Sequence, residues 1–185
     1  MKVISTNIGQ PREVVWQGEP VTTGIYKEPV EAIHVRKFFV EGDNVSDPEV
    51  HGGEWKAVYG YPSEHYQFWR TQFPKIEMPW GMFGENITTE GLFENDLLIG
   101  SVYRIGTALL EVTEPRMPCY KLAIKFGRVD IIKRFLKSRK SGFYFTVIEE
   151  GVVKSGDRIT LKQAGDSGYS ILDIVNRYTQ KKDRT

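Results

Sequence analysis

Short segments of β-branched and aromatic residues, set apart by glycine turns, constrain this chain more than any other feature. They occupy residues 2–8, 32–40, 101–105, 108–113, 143–149 and 157–161. Such residues fit a pleated, half-buried surface. Between them stand Glu41-Gly42-Asp43-Asn44, Ile105-Gly106-Thr107, Glu149-Glu150-Gly151 and Lys154-Ser155-Gly156-Asp157, all rich in turn formers. Many short strands at close spacing predict a mainly β, mostly antiparallel fold that closes, wholly or in part, into a barrel.

Three stretches carry helical spacing instead. Residues 63–73 open on Ser63 as N-cap and place Tyr66, Trp69 and Phe73 on one side. Residues 129–137 gather Ile131, Ile132, Phe135 and Leu136 on one face. Ser170 and Asp173 form a capping-box pattern opening a helix over 170–178, with Ile171, Ile174, Val175 and Tyr178 as its stripe. Each aromatic stripe reads as core rather than as a cofactor platform. Residues 1–165 are expected to form a single domain. Residues 166–185 add a C-terminal helix and tail, not a second domain.

The balance of the 185 residues excludes several classes. A net charge of +1 does not suit a protein that grips a nucleic-acid polymer over its whole surface. No apolar run approaches the ~20 residues that span a bilayer, and no secretory apolar segment stands at the start. The single cysteine rules out an intrachain disulfide and a cluster held by four thiolates of this chain. A cytoplasmic protein with no membrane partner is the expectation. No Gly-x-Gly-x-x-Gly follows a strand and no Walker-type loop is present, so nicotinamide and ATP sites are not expected. His34, His51 and His65 lack zinc-site spacing.

That one cysteine, Cys119, sits in Glu114-Pro115-Arg116-Met117-Pro118-Cys119-Tyr120-Lys121. The two prolines stiffen the backbone approaching the sulfur. Arg116 and Lys121 favour the thiolate, which is both the nucleophile and the metal ligand. A second segment, Asp47-Pro48-Glu49-Val50-His51-Gly52-Gly53-Glu54-Trp55-Lys56-Ala57-Val58-Tyr59, concentrates titratable groups around paired glycines. Gly52 and Gly53 allow positive φ or close approach to a ligand. His51 can move a proton or donate to an anion, and Lys56 can reach a phosphate.

Together these segments resemble the signature of MOSC domains, the module named after the C-terminal part of molybdenum cofactor sulfurases. The resemblance rests on Asp-x-x-x-His-Gly-Gly-x-x-Lys-Ala-Val-Tyr and on Pro-Arg-x-Pro-Cys-x-Lys-Leu. It is nearest to the compact YiiM-like branch of that family. Thr23-Gly24-Ile25-Tyr26-Lys27-Glu28-Pro29-Val30, Trp80-Gly81-Met82-Phe83-Gly84-Glu85-Asn86-Ile87-Thr88 and Arg139-Lys140-Ser141-Gly142-Phe143-Tyr144 extend it in the same order.

The resemblance implies a β-barrel with a few peripheral helices and a molybdenum–pterin cofactor. Cys119 would ligate the metal, since a soft sulfur suits it. Lys27, Lys56, Arg116 and Lys121 would supply cations to the cofactor's phosphate, Arg116 foremost because a guanidinium grips phosphate in bidentate fashion. Asn86 would read a heterocycle edge, Gly52, Gly53 and Tyr59 would contact the cofactor, and His51 would donate a proton, with Tyr59 or a bound water as the alternative donor. The activity implied is a detoxifying reduction of N-hydroxylated compounds, such as N-hydroxylated purines, to amines. Without a flavin or iron–sulfur motif, electrons must come from a separate reductase. The alternative is a carrier of the cofactor, or of a persulfide on Cys119, without turnover of its own. Pyridoxal phosphate belongs to a domain this chain does not contain. Monomer and homodimer both remain open to the sequence.

Overall fold

The computed structural model describes residues 1–44 and 52–182. In chain order the elements are β1 (Lys2–Gly9), β2 (Arg12–Trp16), β3 (Glu19–Thr23), β4 (Lys27–Val30), β5 (Ala32–Val35), a 3-10 turn (Glu54–Lys56) and β6 (Val58–Pro62). Next come α1 (His65–Gln72), β7 (Ile87–Glu90), β8 (Val102–Ile105), β9 (Ala108–Pro115), α2 (Tyr120–Phe126) and α3 (Asp130–Ser138). The chain continues through β10 (Phe143–Glu149), β11 (Gly151–Lys154) and β12 (Ile159–Gln163) to α4 (Ile171–Lys182). The fold is mainly β, as expected.

Eight strands form one sheet in the order β12-β8-β9-β10-β6-β7-β1-β4, and β11–β5 and β2–β3 form two small pairs. Every pairing is antiparallel except β6 with β7. The sheet curls until β12 comes alongside the start of β1: Lys2 bridges Arg158, and the Ile159 amide donates to the Met1 carbonyl at 3.0 Å. The expected barrel is therefore only partly closed, with no continuous ladder between β1 and β12. The reason lies in β1, which pairs with β4 from Thr6 to Gly9 and so offers β12 little beyond Lys2.

Two apolar layers hold the elements together. Inside the curl, Val3, Ile33, Val35, Ile87, Leu110, Phe143 and Phe145 are buried. A second, aromatic layer joins β6 and β10 to the first three helices through Tyr59, Tyr61, Trp69, Phe83, Phe126, Phe135 and Tyr144. The Tyr61 and Phe83 rings stack with centroids 4.4 Å apart, a geometry worth about 1 kcal/mol beyond burial alone. The stripes of α1 and α3 are core faces: Tyr66, Trp69, Ile131 and Phe135 are buried.

Several local expectations change. Strand β5 ends at Val35 because the Arg36 amide turns back to the Phe39 carbonyl (2.8 Å), and only Val40 returns to bridge Val35. Ser63 does not cap α1; its hydroxyl lies 3.3 Å from the Glu64 carboxylate. The capping box before α4 forms, with the Asp173 amide donating to Ser170 Oγ (3.2 Å) and the Ser170 amide to Asp173 Oδ2 (2.8 Å), but the helix runs past 178. Helix α2 has no apolar stripe for sequence reading to find, since Lys121, Leu122, Ala123, Ile124 and Phe126 are all buried. Among the described residues no helix is long and apolar enough to cross a membrane.

Candidate functional site

A cleft holding about 580 Å3 of space, open to solvent, gathers residues from six separate stretches of chain. Thr23, Gly24, Ile25 and Lys27 come from the link between β3 and β4, and Asp43 and Asn44 from the turn beyond Val40. Lys56, Ala57 and Tyr59 lead into β6, while Gly84 and Asn86 precede β7. Arg116, Cys119 and Lys121 follow β9, and Tyr144 belongs to β10.

The β9 exit sets the chemistry. Pro115, still paired with Phe143, fixes where Arg116 leaves the sheet. Two residues beyond it, Pro118 leads into Cys119, which takes extended backbone angles (φ −117°, ψ 172°) as N-cap of α2. Cys119 is half-buried in the cleft wall. Arg116 is 4% exposed, and its Nη1 has no hydrogen-bond partner among the described residues. Its guanidinium lies over the Tyr59 ring at 5.6 Å and the Phe135 ring at 5.5 Å. Burial works against its charge, yet Tyr59, Cys119 and Tyr144 offset this and keep it protonated. Buried polar groups in native proteins are almost always satisfied. A guanidinium nitrogen left over in a cleft that also holds the chain's one thiol is a donor that an anionic group can use.

The opposite wall is a hydrogen-bonded block. Lys27 and Asp43 form a buried ion pair, and Asp43 Oδ1 accepts from the Gly9 amide at 2.7 Å. Asn86 donates to Asp43 Oδ2 (2.8 Å) and accepts from the Tyr59 amide (3.1 Å). Burial lowers the Lys27 pKa, with Asp43 opposing. The Tyr59 hydroxyl donates to the Ser141 carbonyl (2.8 Å), and burial holds its pKa well above the phenol range while Arg116 pulls the other way. Burial likewise pushes Tyr144 up to about 12. Burial thus holds both tyrosines neutral in the cleft wall.

The structure thus brings Lys27, Lys56, Tyr59, Asn86, Arg116, Cys119 and Lys121 to one cleft. Asn86 is there in a different role from the expected one, because its amide is committed to Asp43, Tyr59 and Asn7 and holds the wall together. Gly52 and Gly53 do not line the cleft. Gly53, at φ 79°, instead starts the turn that delivers Lys56, which pairs with Glu114 at 3.5 Å. His51 lies outside the described residues. Among the described residues no three His, Cys, Asp or Glu side chains gather as a metal-binding group. His34 is exposed on β5, and His65 is paired with Glu94 (2.8 Å).

Comparison with known proteins gives this arrangement its family. The model of the MOSC domain matches residues 47–160. The chain belongs to the MOSC domain family. The uncharacterized protein YflK of Bacillus subtilis (strain 168) is 40% identical over 176 residues, covering 95% of this MOSC chain and 79% of YflK. The crystal structure of YiiM from Geobacillus stearothermophilus is similar with a TM-score of 0.80 at 38% identity, over 98% of this chain and 85% of that one. A Gibberella moniliformis (strain M3125 / FGSC 7600) protein called a reductase is 32% identical over 164 residues, which are 85% of this chain but 28% of that protein.

Sequence reading of the MOSC chain missed Asp43 and Tyr144 as cleft residues. Asp43 was legible only as a turn residue, because its partners Lys27 and Asn86 stand far away in sequence. Tyr144 alternates with buried Phe143 and Phe145 in an apolar strand and so reads as core.

Proposed function

We propose that the cleft binds a molybdenum–pterin cofactor and that the protein reduces N-hydroxylated compounds, such as N-hydroxylated purines, to amines. The observation that carries this reading is the buried Arg116, whose Nη1 has no partner among the described residues, in the same cleft as Cys119. A soft donor and a desolvated guanidinium fit a group that pairs a thiophilic metal with anionic oxygens. The MOSC family membership and the reductase name of the Gibberella relative support the same direction.

When bound, the cofactor supplies a metal centre able to remove the N–OH oxygen as two electrons and two protons convert the hydroxylamine to amine and water. The protein's part is to hold and orient. Cys119 is the thiolate donor toward the metal. Arg116 takes an anionic oxygen and Lys121 adds positive field, while Lys56 and Lys27, paired with Glu114 and Asp43, offer N–H donors at the cleft wall. Tyr59 and Tyr144 wall the cleft with neutral, partly apolar surface. His51 is the proposed proton donor, and electrons come from a separate reductase in the cytoplasm.

Metal and pterin analysis of protein purified from a cofactor-competent host tests the binding step. Near-stoichiometric molybdenum and pterin is the expected result. Loaded protein that never turns over N-hydroxylated bases would favour the carrier reading instead.

A further inference from the structure

Behind the cleft stands Lys125, a residue in no motif that the sequence singled out. It lies on α2, the helix capped by Cys119. Its ammonium donates to the Ile25 carbonyl at 3.0 Å and the Gly81 carbonyl at 2.6 Å, and sits 5.7 Å from the Tyr26 ring centroid. These contacts tie together three pieces of chain that each supply cleft wall. Helix α2 brings Cys119 and Lys121, the segment at Ile25 brings Gly24 and Lys27, and the segment at Gly81 brings Gly84 and Asn86.

The Gly81 segment is itself stiff. Glu85, fully buried, accepts from the Gly81 amide (2.9 Å), the Phe83 amide (3.1 Å), Thr88 Oγ1 (2.9 Å) and the Tyr66 hydroxyl. Gly81 adopts φ 82°, and a Cβ there would run into the Lys27 carbonyl. Lys125 is a polar link from that rigid block, and from the Ile25 segment packed on it, to α2. Glu85 and Glu28 attract its charge and Lys27 repels it.

We propose that Lys125 is a positioning residue for the cleft, setting where Cys119 stands relative to the wall that carries Lys27 and Asn86. This deepens the reading of the cleft as a ligand site and does not depend on which ligand fills it. The test uses Cys119, the only cysteine of the chain, as its own reporter. Alkylation by iodoacetamide is measured on folded protein at fixed pH. Lys125 stands in the last turn of the seven-residue α2, so losing its two charge-assisted hydrogen bonds lets the short helix shift as a unit together with its N-cap Cys119, and Lys125→Met should alkylate about fivefold faster than wild type. Lys125→Arg, whose guanidinium can reach two carbonyls, should return to within about twofold of wild type.

A core truncation in β11, Val153→Ala, controls for stability alone, since Val153 is buried in the layer inside the curl. It should alkylate at the wild-type rate. If Lys125→Met does not fold, Lys125→Gln, too short to hold both carbonyls, replaces it with the same expectation. Wild-type alkylation in the Met or Gln variant would overturn the proposal, as would equal acceleration in Val153→Ala. Loss of molybdenum binding in every protein, with the Lys125 effect intact, would sink the cofactor reading alone.

Discussion

Lys27 and Asp43, separated by turns and two strands in the chain, meet in an ion pair whose side chains are only 7% and 3% exposed. The pair is welded into the cleft wall by Gly9 and Asn86. Breaking a buried pair from one side leaves an uncompensated charge, which costs far more than the pair contributes.

Asp43→Asn should therefore destabilise the protein by about 3 kcal/mol. Chemical denaturation measures this directly. Adding Lys27→Met to the same chain should recover part of the loss, because no charge is then stranded. A double variant less stable than Asp43→Asn would contradict the pairing.

Arg116 makes the opposite prediction. Its buried Nη1 has no partner among the described residues, so replacing the side chain with a hydrophobic one removes a desolvated charge. Arg116→Leu should leave stability within about 1 kcal/mol of wild type or raise it. Cofactor retention should fall at least about tenfold, because the bidentate anion grip is gone. Lys154→Ala, an exposed charge at the end of β11, should retain cofactor normally.

How much of this could be read from the chain depends on where partners lie. Strand β10 was legible to the residue, since its unbroken run of aromatic and β-branched residues is bounded by glycine-marked turns. Arg116, Cys119 and Lys121 were legible because one short exit from β9 carries all three. Helix α2 was not, because it is buried on nearly every side and so lacks a period. The roles of Asp43, Asn86 and Lys125 were also hidden, since each is defined by partners brought near only by folding. Partial rather than full closure of the barrel followed from the divided edge of β1, which composition does not encode.

Lys125 also predicts a pH dependence. Burial lowers its pKa to about 8, with Lys27 lowering it further and Glu85 and Glu28 opposing, against an ordinary value of 10.5. Between those limits the unfolded chain holds a proton that the folded one has released. Stability then rises with pH, at up to about 1.4 kcal/mol per pH unit for one full proton. Below pH 8 both states are protonated and the contribution is flat. Wild type minus Lys125→Met should show this upward slope from about pH 8 to 10.5 in denaturation midpoints. A flat difference would mean that Lys125 titrates normally.

We propose that the Cys119 thiolate serves N-hydroxylamine reduction in this cleft. The direct measurement is turnover of 6-N-hydroxylaminopurine by molybdenum-loaded wild type and Cys119→Ser, with a supplied reductase. A hydroxyl is a harder and far less acidic ligand than a thiolate. The account predicts turnover by wild type and its loss in a serine variant that folds normally and keeps part of its pterin through Arg116. Loaded wild type that leaves the substrate untouched, or a serine variant as active as wild type, would contradict it.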